Sequence, residues 1–72
     1  MIDEDKILKQ LGLNIKAERV RKGLSQEGFA EIMDVNREYV SRIERGLQNL
    51  SMKRIVRIAN FLKTDIQDIL RF

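Results

Sequence analysis

Residues Leu24 to Gly46 read LSQEGFAEIMDVNREYVSRIERG. The stretch divides into two helix-forming segments joined by Asp34-Val35-Asn36. Ser25 stands as N-cap of the first and Asn36 as N-cap of the second. Phe29, Ala30 and Met33 lie on one stripe of the first segment, with Ile32 beside them. Val40 and Ile43 lie on one stripe of the second. So short a turn makes the two helices meet at a steep angle. The outer face of the second helix then stays free, and it carries Arg37, Glu38, Tyr39, Ser41, Arg42 and Arg45. A short helix held out by a small scaffold, with guanidinium and hydrogen-bonding groups on its free face, suits the major groove of DNA.

The ordered set Leu24-Ser25-Gln26-Glu27, Ala30, Val35, Val40-Ser41-Arg42-Ile43-Glu44 and Gly46 resembles the helix-turn-helix of phage repressor and Cro-like DNA-binding regulators. The match continues through Asn49, Ser51, Ile55, Ile58-Ala59, Leu62, Asp68 and Leu70, so it covers roughly residues 15 to 70. Any one element is common; the full set at this spacing is not. Arg37 and Tyr39, followed by Gln48-Asn49-Leu50-Ser51, look most like the small controller proteins of restriction-modification systems. The resemblance implies an all-α fold and sequence-specific binding to double-stranded DNA. Two residues depart from the family pattern. Gly28 stands at N3, where Glu would complete a capping box. Leu50 stands where many relatives carry Pro.

Composition bounds the alternatives. At 72 residues the chain is expected to be one domain, residues 1–72. A chain of this size buries about 60% of its unfolded surface, so a second copy would help stabilise it. There is no Cys to form a disulfide or thiolate site, and no His to act as a general base or zinc ligand. No enzyme activity, metal or cofactor is therefore expected. The net charge is +3. Asp3, Glu4 and Asp5 concentrate negative charge at the N-terminus. Between Arg42 and Arg57, Glu44 alone opposes Arg42, Arg45, Lys53, Arg54 and Arg57. That basic region beside the exposed helix fits a polyanion partner. No apolar run reaches membrane-spanning length and no signal-peptide pattern opens the chain, so a cytoplasmic protein is expected.

The periodicity predicts about five short helices. The first runs from about Asp5 to Lys22, with Leu8, Leu11, Ile15 and Arg19 at helical spacing, Gly12 as a weak point and Gly23 as terminator. The second spans about Gln26 to Met33. Asp34 follows, where relatives usually place a left-handed Gly. The third spans about Arg37 to Arg45 and ends at Gly46. Ser51 caps a fourth helix with Met52, Ile55, Ala59 and Leu62 on one face and Ile58 and Phe61 beside it. Asp65 caps a short fifth with Ile66, Ile69 and Leu70.

Arg37, on the first turn of the third helix, is placed to bond O6 and N7 of a guanine in one plane. The alternative is a solvated arginine. Glu38 has two readings: it accepts from cytosine N4, or it orients Arg37 without touching DNA. Ser41 and Arg42 lie a turn later, and Arg42 suits either a base or a phosphate. Tyr39 either meets DNA or packs as an aromatic at the edge of the core. Backbone contacts fall to Gln26, Asn36, Arg45, Gln48, Asn49, Ser51 and Lys53, which position the duplex without specifying sequence. Arg19 and Glu44 each fall on the inward side of their helices. The family pattern pairs them as a buried ion pair, an architectural role.

Ile58, Phe61, Leu62, Ile66, Ile69 and Phe72 exceed what one small core needs. One reading is core plus a frayed apolar tail; the other, which is expected, is that residues from about 55 to 72 dimerise, with Ile58, Phe61, Ile66, Ile69 and Phe72 at the interface. A homodimer matches paired half-sites. The expected function is transcriptional regulation by a restriction-modification controller acting on its own promoter, with no small-molecule ligand. Alternatives are a phage or plasmid repressor of the same fold, and an antitoxin or protein-interaction module.

Overall fold

The computed structural model describes residues 1–72. It contains five helices and no strand: α1 Glu4–Arg21, α2 Gln26–Met33, α3 Arg37–Glu44, α4 Met52–Leu62 and α5 Ile66–Ile69. Side chains satisfy the first N–H groups of four of them. Asp3 accepts from the N–H of Asp5 and Lys6, Ser25 from Gly28, Asn36 from Tyr39 and Ser51 from Arg54. Asp65 precedes α5 as expected, but its side chain makes no capping bond. That turn is held by the residue before it. Thr64 Oγ1 donates to Glu18 Oε1 at 2.8 Å and lies 3.3 Å from Asp68 Oδ2.

The first four helices end in the same way. A residue in the left-handed region follows each, and two backward N–H bonds close the last turn. Gly23 and Leu24 donate to Val20 and Arg19; Asp34 and Val35 donate to Glu31 and Ala30. Gly46 and Leu47 donate to Ile43 and Arg42; Lys63 and Thr64 donate to Asn60 and Ala59. Asp34 and Lys63 accept positive φ without being glycine, at 58° and 53°.

Twelve apolar residues form the core, and every helix contributes. They are Leu11 and Ile15 from α1, Phe29, Ala30 and Met33 from α2, and Val40 and Ile43 from α3. Ile55, Ile58, Ala59 and Leu62 come from α4 and Ile69 from α5. Two of these correct the sequence reading. Ile58 and Ile69 are wholly enclosed within one chain, so neither offers surface to a second copy. Met52, expected on the inner face of α4, is exposed.

Gly12 is also more than a weak point in α1. A Cβ there would lie 2.4 Å from the Ile43 carbonyl oxygen and 2.6 Å from that of Glu44. Only hydrogen fits, so the backbone of α1 touches the C-terminal end of α3. Gly46, just beyond α3, meets α1 in the same way: a Cβ would lie 2.7 Å from Lys9 Cα. Helix α1 further holds the C-terminus, through Asn14 Nδ2 donating to the carbonyls of Ile69 and Arg71 at 2.8 and 2.7 Å. The long first helix is thus the frame against which α3 and the chain end are set.

In an open helix, Gly→Ala stabilises by about 1 kcal/mol. Gly12→Ala should do the reverse, because overpacking against rigid backbone costs about 1–3 kcal/mol. The melting temperature followed by circular dichroism should fall by roughly 5 °C or more. A rise would show that α1 and α3 do not meet at Gly12.

Candidate nucleic-acid interface

The interface begins in the interior. Arg19 Nε donates to Glu44 Oε2 at 2.6 Å, and a terminal nitrogen of the same guanidinium donates to Glu44 Oε1 at 3.1 Å. The pair is two-pronged and nearly dry, with side-chain exposures of 9% and 3%. The remaining guanidinium nitrogen donates to the Leu24 carbonyl at 2.7 Å, which ties the α1–α2 turn to the same site. Gln26 Nε2 donates to Glu44 Oε1 at 3.1 Å. With its nitrogen committed inward, the Gln26 amide turns its oxygen outward, and Arg37 donates to that oxygen at 3.2 Å. A continuous polar chain therefore runs from the core, through the start of α2, to the first turn of α3. No buried side-chain nitrogen or oxygen is left unpaired.

The exposed face of α3 is organised by its own contacts. Glu38 does not orient Arg37; Gln26 does. Glu38 instead pairs with Arg45, at 3.0 Å. Arg45 Nε also donates to Ser41 Oγ at 3.1 Å, so Ser41, half-buried, lies under that pair. Arg42 reaches the following loop, donating to the Leu47 carbonyl at 3.0 Å and to Gln48 Oε1 at 3.4 Å. Tyr39 is half-buried and packs against the core. The Arg54 guanidinium sits 5.6 Å from its ring centroid, a cation–π arrangement that joins α4 to α3. Asn36 and Ser51 use their side-chain oxygens as caps. Asn49 and Lys53 are exposed beside them.

Charge is distributed along both flanks of α3. On the α4 side, Lys53, Arg54 and Arg57 surround a depression of about 190 Å³ at Ser51, and no carboxylate pairs with any of the three. On the α1 side, Lys9 and Lys16 wall a cleft of about 450 Å³ together with Leu13, Gln26, Ser41, Arg45 and the edge of Glu44, whose charge is already paired with Arg19. Lys9 and Lys16 were absent from the residues singled out in the sequence. Their separation of seven residues, two helical turns, places them on one face of α1 and was the available signal. Cations on two flanks of a projecting helix match a duplex, whose two phosphate backbones border the groove.

Removing either Arg19 or Glu44 alone leaves a buried charge unpaired and should cost about 3–5 kcal/mol. The double change to Ala should cost less than the sum of the singles. Urea unfolding of the four proteins measures this directly, and strict additivity would mean that the pair contributes nothing as a pair.

Residues 15–69 match the family model described as helix-turn-helix. The control protein C.BamHI of Bacillus amyloliquefaciens is 37% identical over 62 residues, which cover 85% of this chain and 76% of that one. A helix-turn-helix regulator of Rickettsia conorii is 34% identical over 56 residues, which cover 78% of this chain. The chain spans 45% of that relative's length. Among solved structures, the restriction-modification controller protein C.AhdI of Aeromonas hydrophila superposes with a TM-score of 0.85 at 32% identity. The superposition covers 94% of this chain and 99% of that one. The chain belongs to the helix-turn-helix family of DNA-binding transcriptional regulators.

Proposed function

We propose that this chain is a controller of the restriction-modification type, which binds paired half-sites in its own promoter as a homodimer. The observation that carries the reading is α3 itself. It projects Arg37, Ser41, Arg42 and Arg45 from a rigid base, between two groups of cations. The names of C.BamHI and C.AhdI support the controller assignment. In this reading Arg37 and Arg42 face base edges. Tyr39, anchored at the core, offers only its outer edge. Gln26, Asn36, Arg45, Gln48, Asn49, Ser51 and Lys53 meet the phosphates, with Lys9, Lys16, Arg54 and Arg57 adding long-range attraction. No helix is long and apolar enough to cross a membrane. We assign the protein to the cytoplasm, with its own concentration as the controlling variable.

The dimer surface is redrawn by the burial of Ile58 and Ile69. Phe61 and Phe72 stay exposed, Ile66 is half-buried, and Val56 on α4 is a further exposed apolar residue. One recognition helix reads too few base pairs to discriminate within a genome. Two copies place their helices about 34 Å apart, one turn of DNA, and double the readout.

Binding to duplex DNA should weaken with salt at a logarithmic slope of about −0.9 per phosphate contacted. In gel-shift titrations, Arg37→Ala should cost roughly 1–3 kcal/mol on the selected site and little on random duplex. Lys53→Ala should weaken both alike. Equal losses for Arg37→Ala on the two duplexes would make Arg37 a phosphate contact. Separately, sedimentation at micromolar concentration should give a dimer for the wild type and a folded monomer for the Phe61→Glu, Phe72→Glu double variant. A wild type that is monomeric both free and on DNA would exclude the dimer.

A further inference from the structure

Glu38 is the one carboxylate on the outward face of α3, and it is not free. Its Oε1 accepts from Arg45 at 3.0 Å across seven residues, two full turns of helix. The Arg45 side chain lies back along α3, with Nε on Ser41 Oγ at 3.1 Å and a terminal nitrogen on Glu38. Both side chains are more than half exposed, at 53% and 58%. The pair is therefore a strap laid across the surface that faces the groove, open to water along its length. A pair this exposed contributes up to about 1 kcal/mol, enough to compete with one screened phosphate contact but not with a phosphate contact and a base-edge bond together.

We propose that the Glu38–Arg45 strap is a specificity gate: Glu38 withholds Arg45 from phosphate until a cytosine amino group takes the carboxylate. The proposal rests on the reading of α3 as the base-reading helix. Two constraints act on Glu38 when α3 enters a groove. Its charge repels the phosphates on both sides, and it can be offset there by a donor from the base edges. Cytosine N4 is the base-edge donor best suited to a carboxylate in the major groove, because the adenine N6 donor stands beside the N7 acceptor, which repels it. Where cytosine is in reach, Glu38 exchanges Arg45 for N4–H, and Arg45 is released to the backbone as one more phosphate contact. Where it is not, Glu38 stays on Arg45. The carboxylate then enters the groove without a base-edge donor, and one cation is lost to the phosphates. The gate thus penalises wrong sequence twice, through a repulsion kept and an attraction withheld, which is how rejection raises specificity beyond attraction alone. The basic flanks make such a device useful. Lys9 and Lys16 on one side, and Lys53, Arg54 and Arg57 on the other, attract any duplex regardless of sequence.

The test uses the full chain, a random-sequence duplex, and the duplex that the wild type selects from a randomised pool. Affinities are measured from low to moderate salt for the wild type, Glu38→Gln, Arg45→Ala and the double variant. Glu38→Gln keeps the shape and removes the charge. It should bind random duplex about tenfold more tightly and steepen the salt slope on it by about one contact, or 0.9 in the exponent. It should also lose its preference at one C·G pair of the selected duplex. In the Arg45→Ala background the steepening should fall to well under half a contact, because no released cation remains and only the screened repulsion is lost. Glu38→Gln with an unchanged slope on random duplex overturns the gate, as does a full contact of steepening that persists without Arg45. A wild type that binds neither duplex overturns the reading of α3 and the gate together, so the two failures are distinct.

Discussion

The ion pair between Arg19 and Glu44 sets the geometry on which the proposed DNA-facing surface depends. Glu44 belongs to the helix that projects outward, and Arg19 to the helix that frames the molecule. A charge pair in the interior is costly to desolvate, so it persists only when geometry and neighbours satisfy it. Here they do: the carboxylate receives two bonds from Arg19 and one from Gln26, and the guanidinium also holds the Leu24 carbonyl. The two-pronged bond adds a directional contact between α1 and α3 to their apolar packing. Gly12 and Gly46 complete the constraint by bringing α1 into backbone contact with the end of α3 and with the residue that follows it.

This arrangement gives the functional surface a graded stiffness. Arg37 is connected to the interior through Gln26 and Glu44, so the group we propose as the base reader is pre-set at the start of α3. Arg42 and Arg45 hold surface partners that water can replace, a loop carbonyl in one case and Glu38 in the other. Pre-set groups limit the entropy lost on binding, while exchangeable ones allow the surface to respond to the sequence it meets. The cations on α1 and α4 lie outside this hierarchy, and in the proposed complex they supply attraction without information.

Much of this was legible in the sequence. Ser25, Asn36 and Ser51 stand one residue before each run of helical periodicity, and each caps as its residue type predicts. The bounds of α2 follow from Ser25 and from Asp34, whose short side chain tolerates the left-handed turn. What escaped the sequence depends on distances between elements. Gly12 reads as a defect in a helix because the Ile43 carbonyl that forbids a side chain is 31 positions away. Ile58 and Ile69 look like surplus apolar surface when periodicity is counted helix by helix. The core closes around them only because α5 folds back between α1 and α4. Glu38 has cytosine and Arg37 as partners in the sequence reading; its actual partner, Arg45, stands seven positions along the same helix, a spacing that only a long side chain lying back along the helix can span.

The buried contact should decide how well α3 reads sequence, beyond holding the fold together. Glu44→Gln isolates it, since the amide keeps the shape of the side chain but removes the charge that Arg19 and Gln26 both address. The decisive quantity is the ratio of affinities for the wild type's selected duplex and for random duplex, measured at a temperature where the variant is fully folded. This ratio should fall by about tenfold or more, with binding to random duplex nearly unchanged, because the cations proposed to face the phosphates are untouched. A folded Glu44→Gln variant that keeps the wild-type ratio would contradict it.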